Sequence, residues 1–161
     1  MTLTTLQKTQ LNNSNAAMQR AAVGTLLGDL ETGGAGILRK FTQTVTYDQF
    51  TDGGAAVGTF TLTEGSIPVG ATVLYSAVTD VVGFTGNVSA VMTIGDGTDV
   101  DRYNTSTINV FATADNGISA GAPSGVTYHA AAKDVVLTVT ASSDWGSVAA
   151  GSVTVSLYYL V

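Results

Sequence analysis

The 161-residue chain has no cysteine, one histidine and two prolines, and only 11% of its residues are charged. The missing cysteines exclude a disulfide framework and any thiolate metal site. A single histidine, His129, would have to serve any hydrolytic triad. Its setting, Tyr128-His129-Ala130 in a strand or strand end, predicts a surface or edge histidine instead. No Gly-x-x-x-x-Gly-Lys-Ser/Thr phosphate cradle occurs. No stretch approaches the ~18 consecutive apolar residues of a membrane helix. The start, Met-Thr-Leu-Thr-Thr-Leu-Gln-Lys, lacks the basic end and apolar core of a signal peptide. Synthesis as a soluble chain in the cytoplasm is therefore expected, with no membrane partner and no cofactor.

Charge is unevenly placed. Residues 1–40 hold four basic groups against two acidic ones, and residues 41–161 hold two against ten. An acidic body lacks the basic face that nucleic acid requires. The mildly basic first segment suits docking onto an acidic surface.

Glycine, threonine, serine, alanine and valine dominate what remains. Asn13, Ser14 or Asn15 offers a helix cap, and Ala16 to Ala22 favours helix. Ala22, Leu26 and Leu30 recur every four residues, with Val23 and Leu27 widening the stripe. Gly33-Gly34-Ala35-Gly36 ends this pattern and forms a hinge. The expected organisation is an N-terminal arm, residues 1–36, with a short helix or extended structure, and a β-sandwich domain, residues 37–161.

From Ile37 onward the pattern has period 2. Phe41, Val45 and Tyr47 share a face; Phe60 and Leu62 alternate with threonines. Thr72 to Phe84 reads as one long strand or a strand bent near its middle. Val88, Ala90, Met92 and Ile94 follow, then Ile108 and Val110, Val126 and Tyr128, Val135 to Ala141, and Val153 to Tyr159. Asp52-Gly53-Gly54, Gly95-Asp96-Gly97 and Asp115-Asn116-Gly117 are turn chemistries between them. The expectation is an all-β, jelly-roll-like sandwich of two sheets and about eight antiparallel strands. An immunoglobulin-like sandwich is the nearest competitor.

Few constellations could carry chemistry. Asp96, Asp99 and Asp101 lie within six residues and could supply oxygens to a hard cation. They do not follow the EF-hand order, and a solvated acidic turn is the plainer expectation. Trp145, the sole tryptophan, fits a plug at the end of the sandwich core better than a sugar-stacking platform. No acid pair is placed as a glycosidase dyad. A protein that is not an enzyme is expected.

Four segments together have a familiar order. They are Ile67-Pro68-Val69-Gly70-Ala71-Thr72-Val73-Leu74, Ser89 to Tyr103 around Gly95-Asp96-Gly97-Thr98-Asp99-Val100-Asp101, Tyr128-His129-Ala130-Ala131-Ala132-Lys133-Asp134-Val135-Val136, and Ala150-Gly151-Ser152-Val153-Thr154-Val155. This order, over roughly residues 60–161, resembles small β-sandwich virion proteins of tailed bacteriophages, of the capsid decoration (cement) type. The resemblance implies a jelly roll that binds the outer head shell, commonly as a homotrimer against the major capsid protein. Under that reading the candidate shell contacts are Lys8, Arg20, Arg39 and Lys40, with Leu26, Leu27 and Leu30 in packing. The alternative is a head- or tail-fibre module that binds a receptor or glycan, with Trp145, Tyr103, Tyr128, Tyr158 and Tyr159 as stacking platforms.

Overall fold

The computed structural model describes residues 37–87, 90–105, 108–111, 118–124 and 128–161. Leu38–Val161 forms one compact unit with its own core. The expected N-terminal helix, with Lys8, Arg20, Leu26, Leu27 and Leu30, lies outside the described residues.

Among the described residues there are nine strands: β1 (Leu38–Thr46), β2 (Thr51–Asp52), β3 (Val57–Ile67), β4 (Thr72–Thr85), β5 (Ala90–Gly95), β6 (Ile108–Asn109), β7 (Ile118–Gly121), β8 (Lys133–Ala141) and β9 (Ala150–Leu160). Two short 3₁₀ turns, Tyr47–Gln49 and Trp145–Ser147, complete the elements. One sheet runs β1-β9-β4-β7 and the other β2-β3-β8-β5-β6. Every ladder is antiparallel.

Setting aside the two-residue β2, the eight other strands, counted in chain order, lie 1-8-3-6 in one sheet and 2-7-4-5 in the other. Consecutive strands mostly cross between sheets, and first and last pair side by side. That is the strand order of a jelly roll, and it decides against the immunoglobulin-like alternative.

Alternation makes the sandwich. On β8, Val135, Leu137, Val139 and Ala141 are buried while the residues between them are more exposed. On β1 the buried set is Phe41, Gln43 and Val45. Gln43 is an inward polar residue on an apolar face, and its amide is satisfied across the sandwich. Its Nε2 donates to Thr63 Oγ1 at 3.0 Å, and Thr63 N donates back to its Oε1 at 2.8 Å. The central strand β9 has neighbours on both edges. Val153, Val155 and Leu157 face the core, while Thr154 and Ser156 are covered on the outer face. There they pair with Thr44 and Thr42 through hydroxyl contacts of 2.8 and 2.9 Å. Such cross-strand pairs each contribute ~0.2–1 kcal/mol.

The fourth run is a strand over Ala90–Gly95, and Val88 lies outside the described residues. Of the expected run Val126 and Tyr128, Tyr128 makes a single bridge to Thr72, and Val126 lies outside the described residues. A hairpin not foreseen, β2 to β3, is closed by Asp52-Gly53-Gly54, where Gly54 N donates to Asp52 Oδ1 at 2.8 Å. The long strand β4 does bend: its register against β9 shifts between Thr79 and Val82, with Asp80 at φ 49°.

Candidate functional site

The richest polar cluster lies where the loop after β5 meets the segment leading into β8. The β5 strand ends at Gly95, where an added Cβ would sit 2.7 Å from Val100 Cα, so the loop folds back on itself only with glycine there. Asp96 then turns its carboxylate inward. Its Oδ1 accepts from Thr98 N and Asp99 N, both at 3.0 Å. Arg102 Nε lies 2.9 Å from Asp96 Oδ2, an ion pair that is not well aligned as a hydrogen bond. Lys133 Nζ approaches the same oxygen at 3.6 Å, and Arg102 Nη2 lies 3.8 Å from Asp99 Oδ2.

The loop is fastened from several sides. Tyr103 N donates to Ile94 O at 2.9 Å, and Ile94 N donates to Asn104 Oδ1 at 2.7 Å. Ser124 N donates to Arg102 O at 3.0 Å, and Ser76 Oγ donates to Tyr103 O at 2.5 Å. Tyr103 is fully buried, and its hydroxyl meets His129 Nε2 at 3.2 Å. His129 is pinned through its backbone to Gly70 and Ala71.

The electrostatics follow from this packing. Burial alone would raise the Asp96 carboxyl, but the N–H groups of Asp99 and Thr98 and the Arg102 guanidinium outweigh it and hold its pKa below the ordinary carboxylate value. Burial lowers the pKa of His129, and Arg102 and Lys133 push it further the same way, against Asp96. Burial raises that of Tyr103, helped by the Asp96 charge. His129 is thus neutral and Tyr103 protonated near neutral pH.

A pH dependence follows. In the unfolded chain His129 titrates near 6.5, and in the folded protein it titrates lower. Below about pH 6.5 the unfolded state binds more protons, so stability falls on acidification from there toward the folded pKa and is level above about pH 6.5. Asp96 acts in a separate window, below its ordinary value of 3.8. Urea unfolding across pH 7 to 5 should show the first loss, and His129→Gln should flatten it. An unchanged slope in that variant would assign the loss elsewhere.

Several expectations need correction. His129 is buried rather than on the surface, because its ring is covered against Tyr103, with centroids 5.6 Å apart. Asp96 is likewise not a solvated turn residue; its side chain is 1% exposed and engaged by its own loop and two cations. Asp99 and Asp101 stay at the rim, and among the described residues no three His, Asp or Glu side chains gather as a metal site. Tyr103 offers no stacking surface. Trp145 packs on Phe50 and Phe84 at 5.3 and 6.2 Å, as a core plug. Tyr128 remains exposed, and Tyr158 and Tyr159 are half-buried.

Arg39 and Lys40 are both exposed on β1, and as successive strand residues they project to opposite faces. Lys40 Nζ sits 5.4 Å over the Tyr158 ring. The sequence also holds a Gly-x-Ser-x-Gly string, Gly117-Ile118-Ser119-Ala120-Gly121. Ser119 lies within strand β7 and not on a strand-to-helix turn, so the elbow geometry is absent. The meeting of Arg102 with Lys133 was missed. Its one sequence signal was that they are the only basic residues after Lys40.

No protein-family model matches the chain, and no curated protein is significantly similar to it. Among solved structures, a chain of the cyanophage Pam1 capsid asymmetric unit matches with a TM-score of 0.57 and 22% identity, over 80% of this chain and 88% of that one. A chain from the acid-stable capsid of Helicobacter pylori bacteriophage KHP30 matches with a TM-score of 0.39 and 15% identity, over 78% of this chain and 94% of that one. The protein thus shares its β-sandwich fold with a phage capsid chain.

Proposed function

We propose that this protein is a structural protein of a tailed-phage virion, a decoration (cement) protein that binds and stabilises the outer head shell. The observation that carries the reading is the jelly-roll strand order, on a fold shared with the cyanophage Pam1 capsid chain. The chemistry agrees. The most polar cluster is spent on holding a loop, with its carboxylate ionised, its histidine neutral and its tyrosine protonated. That arrangement holds a loop and does not activate a nucleophile, which supports a binding role. A sandwich without cysteine keeps its stability in the reducing cytoplasm where phage heads assemble. The partners are the major capsid protein and further copies of this chain, as a homotrimer.

Quantitative mass spectrometry of purified virions tests this. The expected copy number is comparable with that of the major shell subunit, and particles lacking the protein should open at lower temperature. A copy number that is a small fraction of the shell's would replace the decoration role with that of a head or tail fibre.

A further inference from the structure

Arg102 and Lys133 are the only basic residues in positions 41–161. The fold brings both to one carboxylate oxygen of Asp96, across a gap in sequence that no local element spans. Beside them lies an open recess of about 310 Å³, within the size range of small-ligand sites. Ala130 and Ala131 form part of its lining, and their one-carbon side chains leave it unfilled. Tyr128 stands at the same recess with 56% of its surface exposed, although a tyrosine gains by burial. We infer that this recess is a saccharide-binding subsite, in which Tyr128 stacks on a sugar ring and Arg102 and Lys133 donate to its hydroxyls.

The donor count supports this. A guanidinium carries five N–H groups and an ammonium three. One buried carboxylate cannot take them all, and the Asp96 oxygen they share has no exposed surface left for a ligand. Asp96 is therefore a positioning residue: it holds both cations at the recess and leaves donors over. The charge balance selects the class of ligand. Arg102 and Lys133 are matched by Asp96 and Asp99, and His129 is neutral. With Asp99 counted at its rim, the recess carries no net charge, which gives little to a free anion and suits a polyhydroxylated molecule, whose oxygens accept and whose C–H face meets an aromatic ring. The inference does not depend on copy number or on attachment to a shell.

The test uses the full-length protein on an array of bacterial surface oligosaccharides, with isothermal titration of any that bind. The wild-type protein should retain at least one of them. Tyr128→Ala should weaken that binding roughly five- to tenfold, the size of one lost aromatic contact. Lys133→Gln, at a partly exposed position, should weaken it several-fold with unchanged circular dichroism. Inorganic phosphate, added in excess, should not compete. The inference is overturned if no oligosaccharide is retained, if both variants bind as the wild type does, or if phosphate displaces the sugar.

Discussion

Trp145→Ala is expected to cost ~3–5 kcal/mol of stability, the usual range for deleting a large buried aromatic side chain. The indole is 4% exposed and sits in a cluster with Phe50 and Phe84. It also covers Gly58, where an added Cβ would lie 2.7 Å from Trp145 Cζ2. The strand β3 runs so close beneath the ring that no side chain fits between them. The backbone around it is fixed by Trp145 N donating to Ala55 O at 2.6 Å and Val148 N donating to Trp145 O at 2.9 Å. Removing the ring therefore leaves a cavity that the 3₁₀ turn cannot follow inward to close. Domains of this size are stable by about 5–15 kcal/mol, so the variant loses a large share. Urea unfolding followed by circular dichroism measures it, since the variant has no tryptophan fluorescence. A loss below about 1 kcal/mol would mean that Trp145 does not seal this end of the core.

Gly151→Ala is expected to be nearly as damaging for a different reason. Gly151 has φ +128°, a conformation that residues with a Cβ rarely adopt, and the added carbon would lie 2.6 Å from Phe84 Cα. Phe84 belongs to β4, the neighbour of β9, and its ring is fully buried. A backbone atom of a paired strand cannot step aside without disturbing the ladder. Strain of ~1–3 kcal/mol adds to an overpacking cost of similar size, so about 3 kcal/mol or more is expected. Gly70 supplies the control. It has φ +83° but open space around the added carbon, so Gly70→Ala should cost only about 1–2 kcal/mol. Equal losses at the two positions would show that backbone conformation alone matters, and that the approach of β9 to Phe84 does not.

These glycines also explain which features of the sequence were informative. Pro68-Val69-Gly70-Ala71 is a turn closed by Ala71 N donating to Pro68 O at 3.2 Å, with Gly70 in the left-handed region. Gly95 lets the acidic loop close on Val100, and Gly151 lets β9 pass Phe84. Three of the four motifs that resemble phage virion proteins thus mark places where backbone geometry demands glycine. They are signatures of a fold and not of a reaction.

The sandwich class, most strand positions and the turns at Asp52-Gly53-Gly54 and Gly95-Asp96-Gly97 follow from the sequence alone, whereas the bend in β4 is one of two readings it leaves open. Alternation with period 2 states that one face of each strand is buried, and the turn residues state where the chain reverses. Neither says against what a face is buried. That β9 lies between β1 and β4, that Gln43 reaches Thr63, that Tyr103 covers His129 and that Lys133 meets Asp96 were all decided by pairings between distant segments. Such pairings depend on which surfaces fit once the sheets face each other. The polar recess belongs to that second kind of information: each of its residues is ordinary in its own stretch of chain, and only the tertiary structure gathers them.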